Sequence, residues 1–385
     1  MSVELRPLGV KCNIQCQYCY QNPQRDADNI LHHYDIDKML ASLEKEGEPF
    51  SLFGGEALLI PLADLETLWA WGFERYGQNN VQTNGTLIND EHIRLFKQYN
   101  VHVGISMDGG GELNDTRWAG TQRSTREATA KTQQAIEKLC LADIPPGLII
   151  TLHQGNASAD KLPLLHEWLR QQEKLGINAV RLHLLEIDSP IIAQQYALTD
   201  AENLVALQSF RALEKTLNTL RFDIFHDMRL MLQGQDAQVT CVWKACDAYT
   251  TRAVRSVEGY GQRRNCGRTN KEGIDFVKAN IEGFERYLAL YHTPQQYNGC
   301  QNCRFFLACK GQCPGTAVEG DWRNRSRDCA VWMALYEQLE TELCTEGVQP
   351  ISLHPARETL EELILTDWVN GNNLLIGDAL KQLEK

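Results

Sequence analysis

Three cysteines, Cys12, Cys16 and Cys19, stand within the run CNIQCQYC, and eight more crowd the stretch from Cys241 to Cys329. Three thiolates this close can hold three irons of a [4Fe-4S] cube and leave the fourth iron open to another ligand. The alternative is a zinc loop that finds a distant fourth ligand. The second group runs C-x2-C-x5-C-x3-C-x15-C over Cys300, Cys303, Cys309, Cys313 and Cys329, preceded by Cys241, Cys246 and Cys266. Eight thiolates suffice for two complete clusters, or for one or two structural zincs.

The redox setting favours metal ligands over disulfides. The start, MSVELRPLGVKCN, lacks the charged and apolar segments of a signal peptide, so a cytoplasmic location is expected and all thirteen cysteines should stay reduced. A net charge of −12 without a basic patch argues against nucleic acid. The longest apolar runs, around Pro146 to Leu152, are too short to span a bilayer.

At 385 residues the chain is long enough for two or three domains. Residues 1–190 alternate strand-like runs (Glu4–Leu8, Phe50–Phe53, Asn80–Thr83, His102–Met107, Gly147–Leu152, Ala179–Leu185) with amphipathic helical stretches. Strand then helix, six times over, predicts an α/β fold with a parallel sheet curling into a partial (β/α)6 TIM-like barrel. Chemistry in such folds gathers at the C-terminal ends of the strands. Every motif of this half lies at such an end. The cysteine-dense stretch has little periodicity, as expected of a small module whose clusters replace a hydrophobic core. The expected division is 1–235 for the barrel, 236–345 for the cysteine module and 346–385 for a helical tail.

The trio resembles the signature of the radical S-adenosylmethionine enzymes, C-x3-C-x-aromatic-C, with Tyr18 as the aromatic residue. The supporting elements follow in order: FGGE with Gly54, Gly55 and Glu56, then QTNGT with Gln82 and Asn84, ISMDG with Ser106 and Asp108, and finally Arg117. The resemblance implies that S-adenosyl-L-methionine chelates the open iron and is cleaved reductively to a 5′-deoxyadenosyl radical. It implies that Gly54, Gly55 and Glu56 bind the methionine amino group. Ser106 and Asp108 would lie near the ribose and carboxylate, and Arg117 would pair with the carboxylate.

The C-terminal cysteines resemble the SPASM module, which carries two auxiliary clusters and makes three [4Fe-4S] clusters in all. The resemblance assigns Cys241, Cys246, Cys266 and Cys313 to the first auxiliary cluster, and Cys300, Cys303, Cys309 and Cys329 to the second. Cys140 and Cys344 match no family position; Cys140 reads as a small buried hydrophobe.

SPASM proteins modify peptide or protein side chains, so the partners implied are a peptide or protein substrate and an external flavodoxin- or ferredoxin-type electron donor. The sulfatase-maturing branch places an Asp after the third ligand of the first auxiliary cluster, and here Gly267 follows Cys266, with Arg268 next. The expectation is therefore oxidative modification of a ribosomally made peptide, such as a crosslink, with formylglycine formation as the alternative. A multi-cluster electron-transfer protein is the alternative of another class. With the trio beginning at residue 12, no leader-binding domain is expected before it. Either a separate leader-binding partner presents the peptide, or the barrel and tail bind it directly. Acid–base candidates at the strand ends are His153, Glu186 and Asp188.

Overall fold

The computed structural model describes residues 3–28, 30–239, 241–243, 246–247, 250, 255–269 and 283–383. Parts of the expected cysteine module and the last two residues of the tail lie outside them. The chain divides into two compact units.

The first unit holds residues up to Asp223 and, among the described residues, returns for 255–269. Its strands are β1 (Val3–Arg6), β2 (Phe50–Leu52), β3 (Asn79–Thr83), β4 (Val101–Ser106), β5 (Gly147–Leu152), β6 (Ala179–Leu184), β7 (Arg221–Phe222), β8 (Arg255–Glu258) and β9 (Arg263–Asn265). They form one sheet in the order β7-β6-β5-β4-β3-β2-β1-β8-β9. All pairs are parallel except β8 with β9. The six expected strands are present in sequential order, as short right-handed crossovers require.

Burial alternates along β3, β5 and β6. One face is sealed, as at Leu148, Ile150 and Leu152. The other is half-buried and polar, carrying Gln82, Ser106, Thr151 and Arg181. Helices follow the strands where their capping residues start and stop them. Asn89 accepts from His92 N at 3.1 Å to open Asp90–Gln98, and Thr121 caps Gln122–Leu141. Gly77, at φ +68°, ends Leu62–Tyr76.

Strand β8 was not legible as a strand. Its sequence, RSVE, is buried throughout because distant residues neutralise its charges. Arg255 pairs with Glu46, and Glu258 lies 3.5 Å from Arg6 on the adjacent β1.

The second unit contains, among the described residues, 224–239, 241–243, 246–247, 250 and 283–383. Aromatic residues form its core: Phe305 stacks on Tyr336 at 5.3 Å, and Phe284 on Trp368 at 5.7 Å. Arg286 is fully buried and donates to the carbonyls of Trp322, Lys310, Gly311 and Asn324. One guanidinium thereby satisfies four carbonyls of the cysteine loops, which have no regular ladder of their own. Among the described residues no helix is long and apolar enough to cross a membrane.

Candidate functional site

The loop after β1 carries the trio, and backbone contacts from two segments fix it. Gln15 N donates to Trp118 O at 2.6 Å and Gln17 N to Thr116 O at 2.8 Å. From the loop after β2, Gly55 N donates to Gly9 O at 2.9 Å and Glu56 N to Lys11 O at 2.8 Å. This explains the two glycines differently from the sequence reading. A Cβ on Gly55 would lie 2.2 Å from Lys11 O, and one on Gly54, at φ +134°, 2.8 Å from Gly9 O. The backbone that approaches so closely is the cysteine loop itself.

Glu56 is 2% exposed and braces the ends of β2 and β3. Its carboxylate accepts from Thr83 Oγ1 (2.7 Å), Asn84 N (2.8 Å) and Leu58 N (3.0 Å). Burial raises its pKa against those three bonds. A carboxylate has about four acceptor sites, so capacity for one more donor remains. Asn84 turns its amide toward Cys12 Sγ at 3.8 Å and Asn13 Oδ1 at 2.8 Å. Gln82 Nε2 donates to Ser106 Oγ at 2.8 Å on the half-buried face.

Below the trio lies a buried network centred on Asp108, which is 0% exposed. Its carboxylate accepts from Tyr18 OH and from Thr151 N at 3.0 Å, with His153 Nε2 at 3.5 Å and Arg117 NH1 at 3.8 Å. Burial alone would raise its pKa, but Arg117, His153 and Tyr18 outweigh that and hold it below the usual carboxylate value. Arg117 NH1 also donates to Tyr18 OH at 3.1 Å. Asp108 therefore faces protein on every side, which differs from the ligand contact that the resemblance implies; it orients Tyr18 and Arg117.

Of the acid–base candidates, His153 is enclosed by protein. It is 0% exposed, its Nδ1 accepts from Gly155 N at 3.0 Å, and its Nε2 meets Thr116 Oγ1 at 2.9 Å. Both ring nitrogens are committed to protein. Glu186 is 7% exposed and takes a hydrogen bond from Arg268 Nε. Asp188 is half-buried between β6 and helix Pro190–Tyr196. Truncating the network at its centre with Asp108→Ala leaves the Arg117 charge buried without its counter-ion. The expected loss is about 3–5 kcal/mol of unfolding free energy, read from the urea midpoint. A loss below about 1 kcal/mol would remove Asp108 as the anchor.

The thiols fit iron–sulfur ligation. All thirteen cysteines are free. The Cys16 thiol is pushed up to about 12 by burial, against Arg117, with the neighbouring charges of Cys19 and Cys12 adding to the rise. A buried thiol that resists ionising alone becomes a good ligand once iron cations supply the counter-charge. In the second unit Cys300 is pushed up to about 12 by burial and by Cys303 and Cys329. Cys309 is raised by burial and then by Cys300, Cys303 and Cys329, so these four thiols form one neighbourhood. Among the described residues no three donors converge tightly enough to hold one ion. A cube spreads its four thiolates over four irons and needs no such convergence. The trio in the first unit and the quartet in the second would hold two of the clusters, and Cys241, Cys246, Cys266 and Cys313, which the resemblance assigns to a third, are likewise in no disulfide. Arg25, whose NH2 lies 3.4 Å from Cys19 Sγ, was missed by sequence reasoning because nothing local marks it.

Residues 7–160 match the Radical SAM superfamily. A serine-type anaerobic sulfatase-maturating enzyme of Bacteroides thetaiotaomicron is 34% identical over 128 residues, 29% of this chain and 30% of that protein. The chain spans less than half the length of the sulfatase-maturating relatives it matches. In fold, the chain is similar to native anSMEcpe with bound AdoMet, with a TM-score of 0.69 at 18% identity, covering 89% of this chain and 98% of that one. It is also similar to Streptococcus suis SuiB bound to precursor peptide SuiA, with a TM-score of 0.55 at 13% identity, covering 85% and 75%. With the thiol trio in the loop after β1, residues 7–160 form a radical SAM domain, within a chain whose fold is similar to those of anSMEcpe and SuiB.

Proposed function

We propose that the protein is an oxidative maturase that removes two hydrogens from a Ser or Cys side chain within a peptide segment, the reaction class of the sulfatase-maturating relatives. The observation that carries this reading is that curated relatives and whole-chain fold likeness point to the same class of protein. It takes the place of the peptide crosslink expected from the sequence. When bound, S-adenosylmethionine and three [4Fe-4S] clusters would supply a hydrogen-abstracting radical and an acceptor for the substrate electron, with a flavodoxin- or ferredoxin-type donor feeding the first cluster.

The remaining proton needs a base. The position after Cys266 does not provide one, and the packing gives a reason. A Cβ on Gly267 would lie 3.1 Å from Gln21 Nε2 and 3.3 Å from both Arg6 NH1 and Tyr20 Cε2. In our reading Glu186, whose carboxylate accepts a hydrogen bond from Arg268 Nε, takes the proton. A second reading, crosslinking of a ribosomally made precursor delivered by a separate partner, is favoured by the missing carboxylate at Gly267 itself.

The test offers the reconstituted protein sulfatase-motif peptides carrying Ser or Cys, and a precursor peptide encoded nearby. Conversion of the Ser peptide to an aldehyde, or of the Cys peptide to a thioaldehyde that water hydrolyses to the aldehyde with release of hydrogen sulfide, is expected, with one 5′-deoxyadenosine per event. Glu186→Gln should then lower kcat by about 10²-fold or more, the usual span for a lost base. Untouched sulfatase peptides beside a crosslinked precursor would reverse the choice.

A further inference from the structure

Immediately after Cys19 the chain folds into the short helix Asn22–Asp26. Asn22 N donates to Cys19 O at 2.9 Å, and Asn22 Nδ2 reaches back to Cys16 O at 3.2 Å. This clamp ties the helix to the cysteine loop and returns Arg25 to it, with NH2 donating to Cys19 Sγ at 3.4 Å. Arg25 Nε is buried without a partner, and so is Nε2 of the adjacent Gln24, a residue 4% exposed. Buried donors left unmatched are costly, and a neutral thiol is a weak acceptor. Both facts suit a more anionic sulfur than the free thiol. Arg117, the other guanidinium near the trio, is already held by Tyr18 and Asp108.

Reduction of a cluster adds one negative charge. A fixed cation and an N–H donor on a ligating sulfur stabilise that form more than the oxidised one. We propose that Arg25 is a positioning residue that acts through Cys19 to raise the reduction potential of the cluster held by Cys12, Cys16 and Cys19. The proposal rests on the radical SAM reading and on no choice of substrate.

The test is an EPR-monitored redox titration of the anaerobically reconstituted full chain, with dithionite as reductant. Wild type is compared with Arg25→Gln, Arg25→Ala and Arg25→Lys, and iron per chain is measured in parallel. The signal that disappears when Cys12, Cys16 and Cys19 are all changed to Ala identifies this cluster. Arg25→Gln should keep its iron while its reduced-to-oxidised ratio at fixed poise falls about tenfold, a drop of about 59 mV for one electron. Arg25→Ala should fall as far, and Arg25→Lys, which keeps the charge without the planar fork, should lie between. An unchanged potential in either uncharged variant that retains iron overturns the proposal. So does loss of this cluster's iron in both, which would make Arg25 a structural residue. A wild-type protein with no signal dependent on the trio would instead defeat the radical SAM reading.

Discussion

Changing Cys12, Cys16 and Cys19 together to Ala is expected to abolish formation of 5′-deoxyadenosine and to lower iron from about twelve to about eight per chain, the content of two remaining cubes. By the family resemblance only the trio would leave an iron open, so no other cluster is expected to take over the cleavage. The fold should survive, because backbone bonds from Gln15, Gln17 and the Gly55–Glu56 segment hold the loop independently of its thiols. The three side chains are only half-buried, so truncating them opens no deep cavity. Iron and sulfide assays with product quantification check both halves of this expectation. Persistent cleavage in the triple variant would place the catalytic cluster elsewhere. A wild-type plateau near four irons would remove the two C-terminal clusters.

Gly55→Ala has the second-largest expected effect, although it touches no thiol. The new methyl would stand 2.2 Å from Lys11 O and 2.4 Å from both Lys11 C and Val10 O. These are backbone atoms, so relief requires moving the loop one residue before Cys12. Overpacking of this kind costs about 1–3 kcal/mol, and the two bonds from Gly55 and Glu56 to the loop are lost with it. We expect cleavage of S-adenosylmethionine to fall by about 100-fold, with about four irons missing and the far-ultraviolet circular dichroism unchanged. Gly147→Ala is the control, since a Cβ there meets nothing within 4 Å. Normal iron and normal cleavage in Gly55→Ala would show that the loop yields without consequence.

The first six strands were readable because their signal is local: each is a short apolar run bounded by turn residues and followed by a helical pattern. Strand β8 was not, because burial of Arg255 and Glu258 depends on Glu46 and Arg6, far away in sequence. The same distinction separates the site residues. Cysteine has few roles in a reducing compartment, so Cys12, Cys16 and Cys19 announced metal chemistry by type and spacing alone. Asp108 and His153 sit at strand ends like their neighbours, and no local pattern distinguishes a residue facing a ligand from one sealed among Tyr18, Thr116 and Arg117.

By itself the sequence determined the class of chemistry and the order of elements that position it, because ligand type, motif spacing and strand–helix alternation are properties of neighbouring residues. The tertiary structure alone decided what Gly54 and Gly55 make room for, which carboxylates are committed to protein, and which guanidinium reaches the Cys19 sulfur. Those are matters of distance between segments remote in the chain, or of how a short helix is clamped back onto its own loop. Only the folded backbone sets such distances.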